Sequence, residues 1–524
     1  MKFRQVIFFS ALPFFVSAAN ILGLMGVPSP SHHNWNRNVF YRLAASGHNL
    51  TILSADVDRE KTPGVHYIWA EKVYSSLYNG SEAINIMDMA DESPYKAVVS
   101  FYGWVQASCE GYYKSKGFQT LLDYPDNFKF DLILVDYSCE PCLIGFSKKF
   151  NYPPTVGLSA FSVPHYTYHY IGGHRQFSYV PHFDAEYGGR MNFFQRLDNF
   201  LLYMWDDWYS SYKVLPQLDT AMKAAFNDPN LPGGRTLLQK MILTLCNTHF
   251  SIEKLEPLPP NIIPVGGLQI QEPKPLDKDL LQFVEKAKKG VVLFSLGTNM
   301  KSEFMDETRT KAFVEAFSQL PDYNFIWKYE SDLGIPLPSN VKTLGWVRQN
   351  DILAHPKTKA FISHCGLLGT QEASWYGIPV VGIPFFADQH RNIRNGVREG
   401  TSVHLNYFTL SVDSIKTAVT EAIENPKYFR NAQRRSSLFR DQPEKPIDRA
   451  TFWIEWVMRH ADEYSVIQLP INDLGIIVSH SYDVIGFLLA VATLIAAILF
   501  YIVKRMLLMV RATDNKTHVK QKKH

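Results

Sequence analysis

The chain has 524 residues, 46% hydrophobic and 20% charged, the composition of a folded protein with two large domains or three to four smaller ones, which excludes disorder. Lysine and arginine number 53 against 50 aspartate and glutamate, a net of +3, too even for nucleic-acid binding through bulk charge. Five cysteines in this length exclude a disulfide scaffold.

Lys2 and Arg4 open the chain, an apolar stretch runs from Val6 to Ala19, and Val16, Ser17 and Ala18 are small enough for a cleavage point. This reads as a secretory signal peptide over 1–19. Residues 20–26 read as a first strand ending in a glycine turn. Val39 to Ser46 reads as a helix stopped by Gly47, and His48 to Ser54 as the next strand. Asn79-Gly80-Ser81 is a glycosylation sequon on the expected luminal side. Asn49-Leu50-Thr51 is a second, but it enters an expected buried strand, and Asn515-Lys516-Thr517 lies in the tail and should stay bare. Asp131 to Asp136 is an apolar run bounded by acids, typical of a strand buried on both faces. Cys139 and Cys142 form a CxxC, read either as a disulfide or as two buried thiols. With no second CxxC and no histidine pair beside it, a zinc site is not expected. Lys148 to Thr155 turns through Pro153-Pro154 into a strand at Val156–Ser159. The alternation predicts a doubly wound α/β layout.

Residues 161–212 differ: sixteen of these 52 are aromatic, with His165, His169, His174 and His182 among them and no clean period. Either a packed aromatic core or a lining for apolar ligands fits. Glu256 to Pro260, Pro264, Gly266-Gly267 and Pro273 to Pro275 form a Pro/Gly-rich boundary. A second α/β set follows, with strands expected at Gly290–Thr298, Phe325–Lys328, Val341–Leu344, Ala360–Ser363 and Val380–Ile383. Ligands of such folds sit outside the carboxyl ends of parallel strands, here in the cleft between the halves.

The densest constellation is Phe361–Glu372 followed by Pro379–Gln389. A buried strand ends in a loop with Ser363, His364, Gly366 and Gly369, and a helix then carries Glu372. Free helix N–H groups make an anion site, to which His364 can donate. Glu372 can accept from two vicinal ribose hydroxyls, and Asp388 with Gln389 offers an acceptor and an amide for sugar hydroxyls. Val484–Val503 is an uncharged apolar run long enough to span a bilayer. Lys504 and Arg505 follow it, and residues 504–524 hold seven basic residues and one acid, which predicts a cytosolic tail by the positive-inside rule. Lys520 and Lys522, fifth and third from the end, match a dilysine retrieval pattern of the endoplasmic reticulum.

Phe361–Gln389 resembles the signature of the UDP-glycosyltransferase family. The resemblance extends over most of the chain: the signal peptide, Ser31-His32, the strand ending at Asp136, Phe294–Gly297, Gly345–Gln349, Asp448–Ala450, and the single span with its basic tail. Ser31-His32-His33 and Leu367-Leu368 look most like insect members. The resemblance implies two Rossmann-like domains facing a cleft, the GT-B type, plus one C-terminal transmembrane helix. The expected division is an acceptor-binding domain over 20–265, a UDP-sugar-binding domain over 266–470 whose last helices can return to the first, a span over 484–503 and a tail over 504–524.

The resemblance also implies roles. Trp346 would stack on uracil and Gln349 would hydrogen-bond the nucleotide. Glu372 would hold the ribose. His364, Gly366, Gly369, Ser295, Gly297 and Thr298 would surround the diphosphate, and Asp388 and Gln389 the donor sugar. Vertebrate members often place an asparagine where this chain has Leu368, so backbone N–H groups must do more there. His32 would be the catalytic base and Asp136 its partner, fixing the tautomer and stabilising the imidazolium. His33 is the rival, and the register from Ser31 to Gly47-His48 favours His32. The expected activity is inverting, metal-independent transfer of a sugar, glucose by likeness to insect members and otherwise glucuronate, from a UDP-sugar to a hydroxyl of a small lipophilic acceptor. It needs no cofactor beyond that co-substrate and serves detoxification or hormone and pigment conjugation. The expected location is the endoplasmic reticulum membrane, type I, with luminal catalytic domains. Homo-oligomerisation is left open. A carrier of lipophilic ligands, or a receptor ectodomain, would share the signal and span, but a carrier would be expected to lose His32, Asp136 or the Asp388-Gln389 pair, all present here.

Overall fold

The computed structural model describes residues 18–78, 92–139, 141–185, 187–188, 190–253, 256–469 and 471–521. The expected signal segment up to residue 17, the Asn79 sequon and the last three residues lie outside these. The chain forms two compact units, Met1–Gln468 and Leu469–His524.

The first unit holds two parallel sheets. Seven strands, β1 (Asn20–Met25), β2 (Asn49–Ser54), β3 (Val65–Trp69), β4 (Leu132–Asp136), β5 (Thr155–Ser159), β6 (Met241–Cys246) and β7 (Ile262–Pro264), lie in the order β3-β2-β1-β4-β5-β6-β7. Six more, β8 (Gly290–Ser295), β9 (Tyr323–Lys328), β10 (Val341–Leu344), β11 (Thr358–Ser363), β12 (Val380–Gly382) and β13 (Ser402–His404), lie in the order β10-β9-β8-β11-β12-β13. Every residue of β4, β5, β6, β8 and β9 is buried, which explains why these strands read as continuous apolar runs. In each sheet the order of strands reverses between one pair of parallel neighbours, β1 and β4 in the first and β8 and β11 in the second. Ligands gather at such switch points, beyond the carboxyl ends of the strands.

The helix expected from Val39 begins at Pro30: α1 spans Pro30–Ala45 with proline in its first turn, where the missing N–H costs nothing. Its buried face carries His32 and Asn36 as well as Trp35, Val39, Phe40 and Leu43. Those two polar groups break the apolar period and hid its first half. Helix α2 spans Pro94–Tyr113 and α3 spans Phe193–Tyr209. In the second half α4 spans Leu367–Tyr376 and α5 spans Asp388–Glu399. Helix α6 (Pro446–Arg459) follows the second sheet in sequence, yet buries Ala450, Ile454 and Val457 in the first sheet's core with Trp35, Val39 and Leu43.

The CxxC is not a disulfide. Cys142 bonds Cys109 of α2, while Cys139 is a buried thiol on the wall of the cleft. The loop after β4 turns its two cysteines to different neighbours, which spacing alone does not reveal. The aromatic stretch divides between core and cavity wall. Tyr170 and Tyr203 are core, Phe161 and Phe183 line the cleft, and α3 leaves Phe193, Phe194, Phe200 and Trp208 exposed. Asn49 opens β2 and is exposed.

The second unit contains one helix long and apolar enough to cross a membrane, over Tyr482–Met509, with no residue of its most apolar window buried. This helix, α7 (Tyr482–Gln521), continues through most of the basic segment expected as a separate tail.

Candidate active site

At the first switch point, β1 leads into α1 and β4 ends on Asp136. His32 Nδ1 lies 2.9 Å from Asp136 Oδ2. The same oxygen accepts from Asn36 Nδ2 at 3.0 Å, and Oδ1 accepts from the Ser138 N–H at 3.1 Å. Burial alone would raise the Asp136 carboxyl, but His32, Ser138 and Asn36 together hold it below the usual carboxylate range. An ionised carboxylate only accepts, so Nδ1 carries a proton, and the neutral tautomer of the ring has its lone pair on Nε2. His32 lines the cleft, with the edge of Phe161 against its ring at 4.7 Å between centroids. The rival His33 instead directs Nε2 to Asp58 at 3.1 Å, alongside Arg37.

At the second switch point the loops after β8 and β11 meet around His364. A Cβ on Gly297 (φ +92°) would lie 2.5 Å from His364 Cε1, and one on Gly366 would lie 2.5 Å from Nε2. The ring therefore fills the space that two missing side chains leave. Burial, and then the nearby Lys328 ammonium, push His364 down to about 4, so the imidazole is neutral at pH 7, and its Nδ1 is buried without a partner. Ser295 Oγ accepts from the Gly297 N–H at 3.3 Å. The amino end of α4 opens here, and the Leu367 N–H donates to Asp388 Oδ2 at 3.0 Å.

Along α4, Gln349 Nε2 donates to Glu372 Oε2 at 2.5 Å, passing close over Gly369. Burial pushes Glu372 up to about 7 despite Gln349. Trp346 is 64% exposed, on the cleft wall. At the start of α5, Asp388 Oδ2 also accepts from Asn392 Nδ2 at 2.7 Å, and burial raises this carboxyl to about 6. Gln389 Oε1 accepts from the Phe385 N–H at 2.8 Å, so its amide N–H groups are not drawn into that contact.

His32, Ser295, Gly297, Thr298, Trp346, Gln349, His364, Gly366, Gly369, Glu372, Asp388 and Gln389 all line one cavity of about 1440 Å³, with Asp136 behind His32. Three further residues were not anticipated. Lys328, at the carboxyl end of β9, lines the cavity and donates to the Gly297 carbonyl at 2.7 Å and to Glu330 at 2.6 Å. A lone lysine closing an apolar strand at its ligand end was a usable signal. Asn299 donates to Ser29 Oγ at 2.9 Å and Arg391 to Ser162 Oγ at 2.7 Å. Both bonds join the two halves across the cleft, and no local pattern marks them.

A model of the family described as "UDP-glucoronosyl and UDP-glucosyl transferase" matches residues 25–521. The chain is 32% identical to UDP-glucosyltransferase 2 of Dactylopius coccus over 469 residues, 88% of each chain. It is 31% identical to human UDP-glucuronosyltransferase 2B15 over 524 residues, 96% of each. Among solved structures, the calicheamicin glycosyltransferase CalG4 shares the fold, with a TM-score of 0.57, 17% identity, and coverage of 85% of this chain and 100% of that one.

Proposed function

Because the chain belongs to the UDP-glucuronosyl and UDP-glucosyl transferase family, and is a UDP-glycosyltransferase, we propose that it moves glucose from UDP-glucose to a hydroxyl of a small lipophilic acceptor. One observation carries the reading. The His32–Asp136 pair, at 2.9 Å, shares a cavity with the cationic and N–H-rich ground around Lys328, His364 and the start of α4. The acceptor hydroxyl gives its proton to His32 Nε2 as its oxygen attacks the anomeric carbon, and Asp136 stabilises the imidazolium. Attack comes from the face away from the diphosphate, so configuration inverts. The bond to UDP breaks, and the departing charge meets Lys328, a neutral His364 N–H and helix N–H groups, a preorganised electrostatic stabilisation. These groups supply the charge that a metal would otherwise supply, so turnover persists in EDTA. No cofactor is needed beyond the UDP-sugar. Trp346 stacks on uracil, Gln349 and Glu372 hold the nucleoside, Ser295, Gly297, Thr298, Gly366 and Gly369 border the diphosphate, and Asp388 and Gln389 bind the sugar.

The protein works as a type I protein of the endoplasmic reticulum membrane, its catalytic unit in the lumen, in conjugation of foreign compounds, hormones or pigments. The Cys109–Cys142 disulfide suits an oxidising lumen, and Tyr482–Met509 suits the span.

The test is UDP release from membranes expressing wild type or His32→Ala, given UDP-glucose or UDP-glucuronate with a panel of phenols and steroids. Release with UDP-glucose, lost by about 10³-fold or more in His32→Ala while UDP still binds, is expected. Release with UDP-glucuronate alone would overturn the choice of sugar. UDP binding without release from either donor would favour a carrier.

A further inference from the structure

The acceptor half of the cavity ends in side chains that glycosyl transfer leaves unused. Phe161, against His32, meets Phe183 at 5.6 Å. His182 and Asp184 flank Phe183 in sequence. Asp184 lines the cavity, and the nearest ionisable nitrogen to its carboxylate is His182 Nδ1, at 3.8 Å. Glu92, just before α2, lines the same cavity with a side chain only 7% exposed. Its Oε1 accepts from Ser100 at 2.9 Å and pairs with the exposed Lys96 at 3.2 Å, but its Oε2 is buried with no hydrogen-bond partner. Burial raises Asp184 to about 6, with Asp206 and Glu92 adding to the rise against His182 and Arg391. Arg391 stacks on Phe183 but is held by Ser162 and Glu253.

Behind Asp184 lies a closed unit. His165 Nε2 and His182 Nε2 each lie 2.9 Å from Asp206 Oδ2, and Tyr102 donates to Oδ1 at 2.7 Å. These three ligand atoms lie within 4.8 Å of one another, near enough for a metal ion. The Asp184 N–H, however, donates to His182 Nδ1 at 3.2 Å. The proton of neutral His182 therefore sits on Nε2, the atom a metal would need, and both imidazoles donate to one carboxylate. His165, which burial keeps neutral, then holds its lone pair on Nδ1 and lines the cavity.

We infer that this end of the cavity is a subsite for a cationic amine carried by the acceptor molecule, bound by Glu92 Oε2 and the Asp184 carboxylate, with His165 Nδ1 taking a further N–H. The inference rests on the proposed transfer to a small acceptor. The three atoms offered are all acceptors, and an ammonium group is all donors. Phe101 and Trp104 also line this cavity, and aromatic rings attract a cation. A buried carboxylate oxygen with no partner is costly, and a bound ammonium removes that cost.

The experiment compares 4-ethylphenol, 4-(2-hydroxyethyl)phenol and 4-(2-aminoethyl)phenol as acceptors, alike except at the end away from the phenol. Wild type should favour the amine by about ten-fold or more in kcat/KM over 4-ethylphenol, the alcohol falling between. Asp184→Asn and Glu92→Gln should each cut the amine-to-ethyl ratio about ten-fold, UDP binding serving as the check on folding. Equal use of the three phenols would overturn the subsite and leave the transferase standing. If none is glycosylated, the Tm shift each phenol gives in the presence of UDP reads the subsite alone, and no preference for the amine there overturns it. A preference abolished by EDTA and restored by zinc would assign the cluster to a metal instead.

Discussion

In the proposed donor site, Glu372 links nucleotide binding to protonation. Its carboxyl is pushed up to about 7 by burial when the site is empty. Ribose hydroxyls donating to it would favour the ionised form and draw the value back down. Binding then expels a proton wherever the empty site is protonated, so affinity is weak at low pH, rises as pH climbs towards 7, and levels off above it. Uridine has no phosphate to confuse the titration. Its affinity, by calorimetry, should rise about ten-fold from pH 6 to pH 8, and Glu372→Gln should flatten the profile. The same linkage has the opposite sign for folding: the native state holds the extra proton, so Glu372 costs stability increasingly as pH rises from the ordinary carboxylate range through 7. His364, Gly366, Gly369, Glu372, Asp388 and Gln389 were legible from a strand end, its glycines and the helix starts, whereas His32, Asp136, Ser295, Trp346 and Gln349 stood out only through the family resemblance. Lys328 escaped since one lysine after three apolar residues also fits a plain strand end. Asn299 and Arg391 escaped because their partners, Ser29 and Ser162, are more than 200 residues away.

Among elements, the loop after β8 shows how backbone shape and ring packing depend on each other. Gly297 has φ +92°, and its missing side chain leaves room for His364. Gly47, which ends α1, has a nearly equal φ of +95° but nothing within 4 Å of where a Cβ would stand. Alanine at either position meets the same backbone strain, about 1–3 kcal/mol. Only Gly297→Ala must also move the imidazole, so it should weaken UDP binding ten-fold or more, whereas Gly47→Ala should lower Tm and bind UDP normally. Elements were legible where one demand ruled them. The all-buried strands β4, β5 and β8 stood out as apolar runs. Helix α1 was half hidden because its inner face carries both core residues and the His32–Asp136 contact, and β7 was hidden inside a proline-rich boundary because three residues suffice to pair with β6.

At the scale of the whole molecule, the chain crosses between its halves more than once. It leaves the first sheet after β7, builds the second, and returns through α6 to the first sheet's core, with Arg42 meeting Asp448 at 2.9 Å on the exposed side of that contact. That return was visible only through family resemblance, since periodicity does not say which core a helix joins. The proposed topology leaves only the basic end beyond the span accessible from outside sealed microsomes. Protease added there should shorten the chain by about that tail and spare the rest until detergent is added. Digestion of the main unit in sealed vesicles would refute luminal placement.

The chamber of about 1440 Å³ is larger than the pockets of about 300–1,000 Å³ that hold one small ligand, room for both the sugar and the acceptor of the proposed reaction. In the proposed reaction, water in an unfilled acceptor half would stand before the same His32 that would activate an alcohol. A filling acceptor therefore does two things at once: it supplies the nucleophile and it displaces the competing one. How faithfully the donor's sugar reaches a product rather than being lost to hydrolysis depends on how completely the acceptor fills that half, independently of how tightly it binds.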